Sequence, residues 1–244
     1  MKSLIALLKI EYLFTKRSLI AFGLGVFMPI AFFLIFSSIN GSDNAPENIM
    51  RHFLISMTSF SCLSFAFFAF PISMVEAKEN NWEKIIVHSP IPMSKYYLAK
   101  VIRILAYFVI AIILVFATGY FIKNVQMPLT DWLVSGMLLT IGSTTFLGIG
   151  LAISMISSKE TMSAVSNIIY LGLAMLGGLW MPVSIFPSWL QNISKLTPTY
   201  HLAELANKYI DKHTFATESF MILTAYAVLF VAVSLVIARR KRVR

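Results

Sequence analysis

The feature that most constrains this chain is where its charges are missing. One Asp, Lys or Arg at the centre of a lipid-embedded helix costs about 2.5–3.5 kcal/mol, and a span needs about 20 apolar residues. Charge-free windows of that length are therefore direct evidence of segments built for a bilayer. Six occur, at residues 18–42, 53–75, 104–122, 132–158, 161–194 and 219–238. The fifth is too long for one span and carries Pro182 and Pro187, so it divides into a helix and an apolar segment that does not cross. The expected spans are 18–37, 53–75, 101–122, 132–156, 162–181 and 219–238.

Composition agrees. The 244 residues are 58% hydrophobic and 13% charged, against roughly 45–50% apolar and about 25% charged in soluble domains. Charge this sparse cannot cover a water-soluble fold, and 20 Phe with 13 Met exclude disorder. A single Cys excludes an intrachain disulfide or a multi-thiolate metal site. The chain contains no internal repeat, low-complexity tract or soluble domain, and its loops are short except 76–103 and 182–218.

The start of the chain does not read as a signal peptide. Lys9 and Glu11 interrupt the apolar run 4–14, and no small-residue cleavage site closes it. Residues 2–17 are expected to lie in the membrane interface as a helix, with Lys2, Lys9 and Lys16 on one stripe. Glu11 falls on the opposite side and spoils the amphipathicity.

Orientation follows from the basic residues. With the N-terminus inside, 15 of the 20 Lys and Arg are cytoplasmic and five (Arg51, Lys123, Lys195, Lys208, Lys212) are outside. Both termini are therefore expected in the cytoplasm. Net charge divides into +10 inside and −1 outside, which together give the formal +9. The excess follows topology and attraction to anionic lipid, not nucleic acid. Tyr96 and Tyr97 mark the inner boundary, and Tyr120 and Trp132 the outer one.

Two loops carry information. In the cytoplasmic loop, Trp82 to His88 can form a short helix, with Trp82, Ile85 and Ile86 on one side and Glu83 and Lys84 on another. Ser89-Pro90-Ile91-Pro92 stops it, because each proline lacks an N–H and extends its predecessor. Docking another protein and merely returning the chain to the membrane suit that shape equally. The outer loop, 181–201, is too apolar for water and too broken by Pro182, Pro187 and Pro198 for a span. Trp189, Leu190, Ile193 and Leu196 recur at helical spacing, so a short helix is expected over 188–196. Irregular backbone at membrane depth must be buried in protein or line a cavity, which places a re-entrant helical hairpin here.

At this point the chain resembles the permease subunits of type-2 ABC exporters. The resemblance rests on the interfacial helix, six spans, the loop Glu76…Glu79…Glu83 ending in Ser89-Pro90, and the outer segment Pro182…Phe186-Pro187-Ser188-Trp189-Leu190…Pro198-Thr199-Tyr200. It covers essentially the whole chain. It implies that Glu76, Glu79, Trp82, Glu83, Lys84, Ile85 and Pro90 couple to an ATPase subunit. It also implies that Pro182, Phe186, Pro187, Trp189, Leu190, Pro198 and Tyr200 belong to a hairpin closing the exit. One departure stands out: the family pattern has a glycine near Asn80-Asn81.

Other chemistry is missing. No Gly-x-x-x-x-Gly-Lys-[Ser/Thr] stretch exists, so ATP and Mg would be held by a partner ATPase and no cofactor by this chain. His201, Glu204 and His213 have no recognised metal-ligand spacing and are expected to be solvated or interfacial. His52 and His88 read as lone loop histidines, and Cys62 as a buried inert thiol. The charge-free windows argue against proton coupling or an ion pore and favour an amphipathic substrate. Small residues (Gly142, Gly148, Gly150; Gly172, Gly177, Gly178) suit close helix contact, and Pro29 and Pro71 should kink the first two spans.

The expectation is thus an all-α membrane protein, a single transmembrane domain with six helices, an interfacial helix, a coupling helix and an outer hairpin. It would be a non-enzymatic permease of a cell membrane, with bacterial origin the natural setting. Its partners would be an ABC ATPase, a second permease chain and lipid, with no nucleic acid. The competing reading is a non-transporting structural or sensory membrane subunit.

Overall fold

The computed structural model describes residues 2–40, 47–156 and 158–242. Among these there is no strand. Eleven α-helices follow one another: α1 Lys2–Arg17, α2 Leu19–Asn40, α3 Glu47–Ser64, α4 Phe70–Glu79, α5 Trp82–Val87, α6 Met93–Lys123, α7 Leu129–Ile153, α8 Lys159–Leu176, α9 Ser188–Ser194, α10 Pro198–Lys212 and α11 Thr217–Arg242. By length and composition, four helical stretches can cross a membrane: Asn48–Glu79, Met93–Lys123, Leu129–Ile153 and Thr217–Ala238. A shorter apolar stretch, Phe22–Ser38, lies in α2.

The α3–α4 stretch is the central post. Its apolar window is 83% buried, whereas that of α11 is 11% buried and sits at the rim. Lipid tails are as apolar as Leu, so helix association depends on close packing and interhelical hydrogen bonds. Both occur. Ser61 Oγ donates to the Gly25 carbonyl at 2.8 Å, Thr145 Oγ1 to Leu223 O at 3.1 Å, and Thr199 Oγ1 to Leu173 O at 2.7 Å. Stacked rings fill the space between α2, α3 and α8, including Phe60 on Tyr170 at 4.7 Å and Phe22 on Phe65 at 5.2 Å.

Where a kink is expected in the second span, the helix changes type. Between α3 and α4 the helix widens into a π-helical turn, Phe65–Ala69, just before Pro71. Proline has no N–H to donate, so the ladder must be rearranged there in any case. The turn also meets α7 backbone to backbone: a Cβ on Gly150 would overlap the Ala66 carbonyl oxygen.

Several boundaries differ from expectation. The third span was expected from residue 101, yet α6 begins at Met93 and α4 persists to Glu79, so the long 76–103 loop shrinks to a short turn carrying α5. Lys100 and Arg103 do not end the helix or face solvent; they are packed inside the protein, where Glu11 pairs with them. The fifth span, expected over 162–181, stops at Leu176. Gly178 turns the chain at φ 75°, and a Cβ on Gly177 would collide with Thr199, so the following segment folds back tightly. Pro187 and Pro198 initiate helices here: Pro187 caps α9, and Pro198 occupies the first turn of α10 behind the Thr197 cap.

Candidate functional site

The end expected to face the cytoplasm, the inner end, is built around α5. Asn81 stands at φ 54°, ψ 19°, a left-handed conformation that Asn tolerates better than most non-glycine residues. The turn into α5 is therefore made without the family's glycine. Ile86 is 3% exposed and packs with Leu7, Ala77, Tyr96 and Ala99 from α1, α4 and α6. Trp82 joins this cluster and meets Phe14 edge-on at 6.4 Å. Ser89 Oγ donates to Ile86 O at 2.8 Å, and Pro92 caps α6, which completes the stop.

Ile85 and Ile86 do not share a face as expected. On a six-residue helix i and i+4 align, so Trp82 and Ile86 turn inward together. Ile85 is left 54% exposed and Val87 67% exposed, beside exposed Lys84 and His88. Glu79 and Pro90 are also exposed. Glu76 pairs with Lys159 at 3.1 Å, and Lys78 Nζ donates to Ser154 O at 3.2 Å, tying α4 to the α7–α8 turn. The Glu83 side chain lies outside the described residues.

Behind α5 lies a group that charge patterning misread. Glu11 is 4% exposed and sits between Lys100 Nζ at 3.3 Å and Arg103 Nη1 at 2.9 Å. What reads as a flaw in an amphipathic helix is the counter-ion of two α6 cations. Tyr107 OH donates to Thr15 Oγ1 at 2.9 Å and fastens the same two helices one turn further along. The available signal was the lone acid in a lysine-marked helix, opposite two cations three residues apart.

These charges floor a cleft of about 790 Å³ between α1, α2, α3–α4, α6 and α8. Aromatic rings contribute to its wall, among them Phe14, Phe22, Phe68, Tyr107, Tyr170 and Trp180. The cleft reaches from Trp82 at the inner end to Trp180, where the chain turns toward the outer hairpin.

At the opposite end, expected to face outward, α9 and α10 form a helical hairpin. Thr199 anchors it on α8, Tyr226 OH donates to Leu196 O at 2.6 Å, and Gln191 Nε2 donates to Phe186 O at 2.9 Å. Pro198 is buried, Phe186, Leu190 and Tyr200 are half-buried, and Pro182, Pro187 and Trp189 are exposed. The hairpin residues thus divide into an anchored inner layer and an apolar outer skin.

The outer histidines also depart from expectation. His201 is buried, not solvated. Its Nε2–H donates to Lys195 O at 2.9 Å, so in the neutral ring Nδ1 accepts from the Ser219 hydroxyl at 3.1 Å. Burial holds its pKa below the usual imidazole value. His52 is not a lone loop residue: it lies in α3 and contacts both Asp211 oxygens at 2.9 Å. His213, left-handed after α10, reaches Asp131 at 3.5 Å. No group of three or more His, Cys, Asp and Glu able to hold a metal occurs among the described residues.

Residues 2–210 match the family described as ABC-2 type transporter. The chain is also 30% identical over 215 residues to YvfS of Bacillus subtilis (strain 168), a protein named as a transport permease; the match covers 88% of each chain.

Proposed function

The chain belongs to the ABC-2 type transporter family, and from that premise we propose that it is the membrane-spanning permease subunit of an ATP-driven exporter. Six spans (α2, α3–α4, α6, α7, α8 and α11) cross the cell membrane, with both termini cytoplasmic and α1 in the interface. ATP and Mg are held by a separate ATPase chain that docks on α5. A second permease chain, identical or similar, completes the pathway, and an amphipathic or lipid-like molecule is carried outward. The Pro182–Tyr200 hairpin closes the outer end.

The observation that carries this reading is the division of α5. Trp82 and Ile86 lock it onto α1, α4 and α6, while Ile85 and Val87 are held out on a rigid proline-bounded knob. A push on that knob is delivered to the helices lining the cleft. Exposed apolar residues set on a rigid support suit a protein partner better than water.

The test is Ile85→Asp in the full chain co-expressed with its cognate ATPase. Co-purification of the ATPase should fall at least about tenfold, as expected for a charge forced into an apolar contact. Trp82→Ala should retain more of the ATPase yet transport less per ATP hydrolysed. If Ile85→Asp binds the ATPase and transports normally, α5 is not the docking element. If no ATPase accompanies the wild-type chain from its native membrane, the structural or sensory reading takes its place.

A further inference from the structure

The charges that line the cleft cancel. Glu11 and Glu76 stand against Lys100 and Arg103, and the described residues place no other ionised side chain along it. Lys159, which meets Glu76, lies outside the lining with its side chain 41% exposed, where water and salt screen it. Glu11 Oε2 and Arg103 Nε each lack a hydrogen bond, but both atoms are buried. They belong to the same ion pair, one an acceptor and the other a donor, so they favour neither sign of ligand charge. An ion drawn into this cleft would shed its water without meeting a vacant counter-ion.

The uncharged polar groups behave differently. Ser64, Ser73 and Tyr107 donate their hydroxyls inside the protein, to Ser61 O, Phe70 O and Thr15 Oγ1, and Asn80 Nδ2 donates to Glu76 O. On α8, the Tyr170 hydroxyl and the Asn167 amide have no such partner among the described residues. Tyr170 is 8% exposed, yet its hydroxyl is not one of the buried unpaired atoms, so its small opening is onto the cleft it lines. Its ring is fixed in place: Phe60 stacks on it at 4.7 Å and Phe68 meets it edge-on at 5.3 Å. Asn167 also lines the cleft, one turn earlier on the same helix face, and offers both a donor and an acceptor. Around them Phe68 and Trp180 present aromatic surface to a flat apolar body.

Building on the exporter reading, we infer that this cleft binds an uncharged, flat ring compound carrying hydroxyl or carbonyl groups. Its oxygens bond the Tyr170 hydroxyl and the Asn167 amide, and its rings lie against Phe68 and Trp180. The Glu11, Lys100 and Arg103 cluster holds α1 to α6 and takes no part in recognition.

The test uses the purified full chain in nanodiscs of zwitterionic phosphatidylcholine, with probes that share one ring frame: naphthalenemethanol, naphthalene, naphthoate and naphthylmethylammonium. Equilibrium dialysis reads the saturable uptake above that of nanodiscs without protein. Naphthalenemethanol should half-saturate at about fivefold lower concentration than naphthalene, the size of one hydrogen bond. It should do so at about tenfold lower concentration than either ion, which must give up its hydration. Tyr170→Phe keeps the ring and removes the hydroxyl, so it should erase most of the alcohol's advantage over naphthalene. Asn167→Leu, at an exposed position, should reduce the same advantage. An ion that binds as tightly as the alcohol overturns the inference, as does an alcohol that shows no saturable uptake. An advantage over naphthalene unchanged in both variants overturns it too. If Tyr170→Phe does not fold, Asn167→Leu and the wild-type ranking decide. Selective binding of the alcohol without ATP-driven translocation refutes the exporter reading only. ATP-driven translocation of charged and uncharged probes alike refutes this inference only.

Discussion

The two ends of the molecule use ionisable residues in opposite ways. At the inner end, Glu11, Lys100 and Arg103 are almost fully buried and hold α1 against α6. At the outer end, His52 and Asp211 pair with side chains 40% and 32% exposed, and His213 reaches Asp131 from open solvent. Removing one member of a buried pair leaves an uncompensated charge, whereas an exposed pair is worth little. The inner end therefore behaves as one rigid block from α5 to the cleft floor. The outer end relies more on hydrogen bonds and packing, although Asp131 is a buried acid facing an exposed histidine.

The largest expected effect follows from that contrast. Glu11→Gln should destabilise the chain by about 3–5 kcal/mol, measured by unfolding in detergent, because two buried cations lose their shared counter-ion. Adding Lys100→Met should recover part of the loss, since one buried cation instead of two is then left without a counter-ion. If Glu11→Gln is no worse than an average surface substitution, the inner block is not held by charge.

Next comes His201. Its folded pKa lies below the ordinary imidazole value near 6.5, mainly through burial, although the Lys195 carbonyl, Glu218 and Glu204 pull the other way. As pH falls, the unfolded chain takes this proton first. Stability is therefore complete above about pH 6.5 and declines as pH drops toward the folded value. A melting series from pH 7.5 to 5.5 should show this decline in the parent and a shallower one in His201→Gln. The two imidazole hydrogen bonds also predict a loss of about 1–3 kcal/mol for His201→Leu at neutral pH. The smallest effect belongs to His52→Ala, expected at or below about 1 kcal/mol and shrinking further in high salt. A larger loss would mean that the outer pairs are structural after all.

The inner helices were well anticipated: α1 matches its expected limits, and α5 appears where the proline stop required a short helix. What the helices do not follow is the rule that a charge marks their ends: α6 runs from Met93 through Lys100 and Arg103. That rule prices each charge alone, and Lys100 and Arg103 have their partner some 90 residues earlier in the chain. Pairing across such a separation shows locally only as one acid in a lysine-marked helix, too little to carry the start of α6 back to Met93. The outer hairpin shows the complementary blind spot. Prolines that read as breaks begin helices, and a histidine expected to be solvated or interfacial is buried on α10, a helix whose apolar face needs α7 and α3 to explain it. Gly177 is similar: its meaning depends on Thr199, which only folding brings alongside.

The π turn at Phe65–Ala69 has a geometric consequence for the central post. An α-helix advances about 100° per residue, and a π turn absorbs one extra residue without lengthening the pattern of faces. The stripe that Leu54, Met57 and Ser61 define in α3 therefore does not continue in phase into α4; it re-emerges offset by one position. Glu76 and Ala77 point where they do, toward Lys159 and the α5 cluster, because of that offset. A helical wheel drawn straight through residues 53–79 would aim both at the wrong neighbours. The widened turn is thus the vernier of that end, setting the azimuth at which the central post meets the α5 knob.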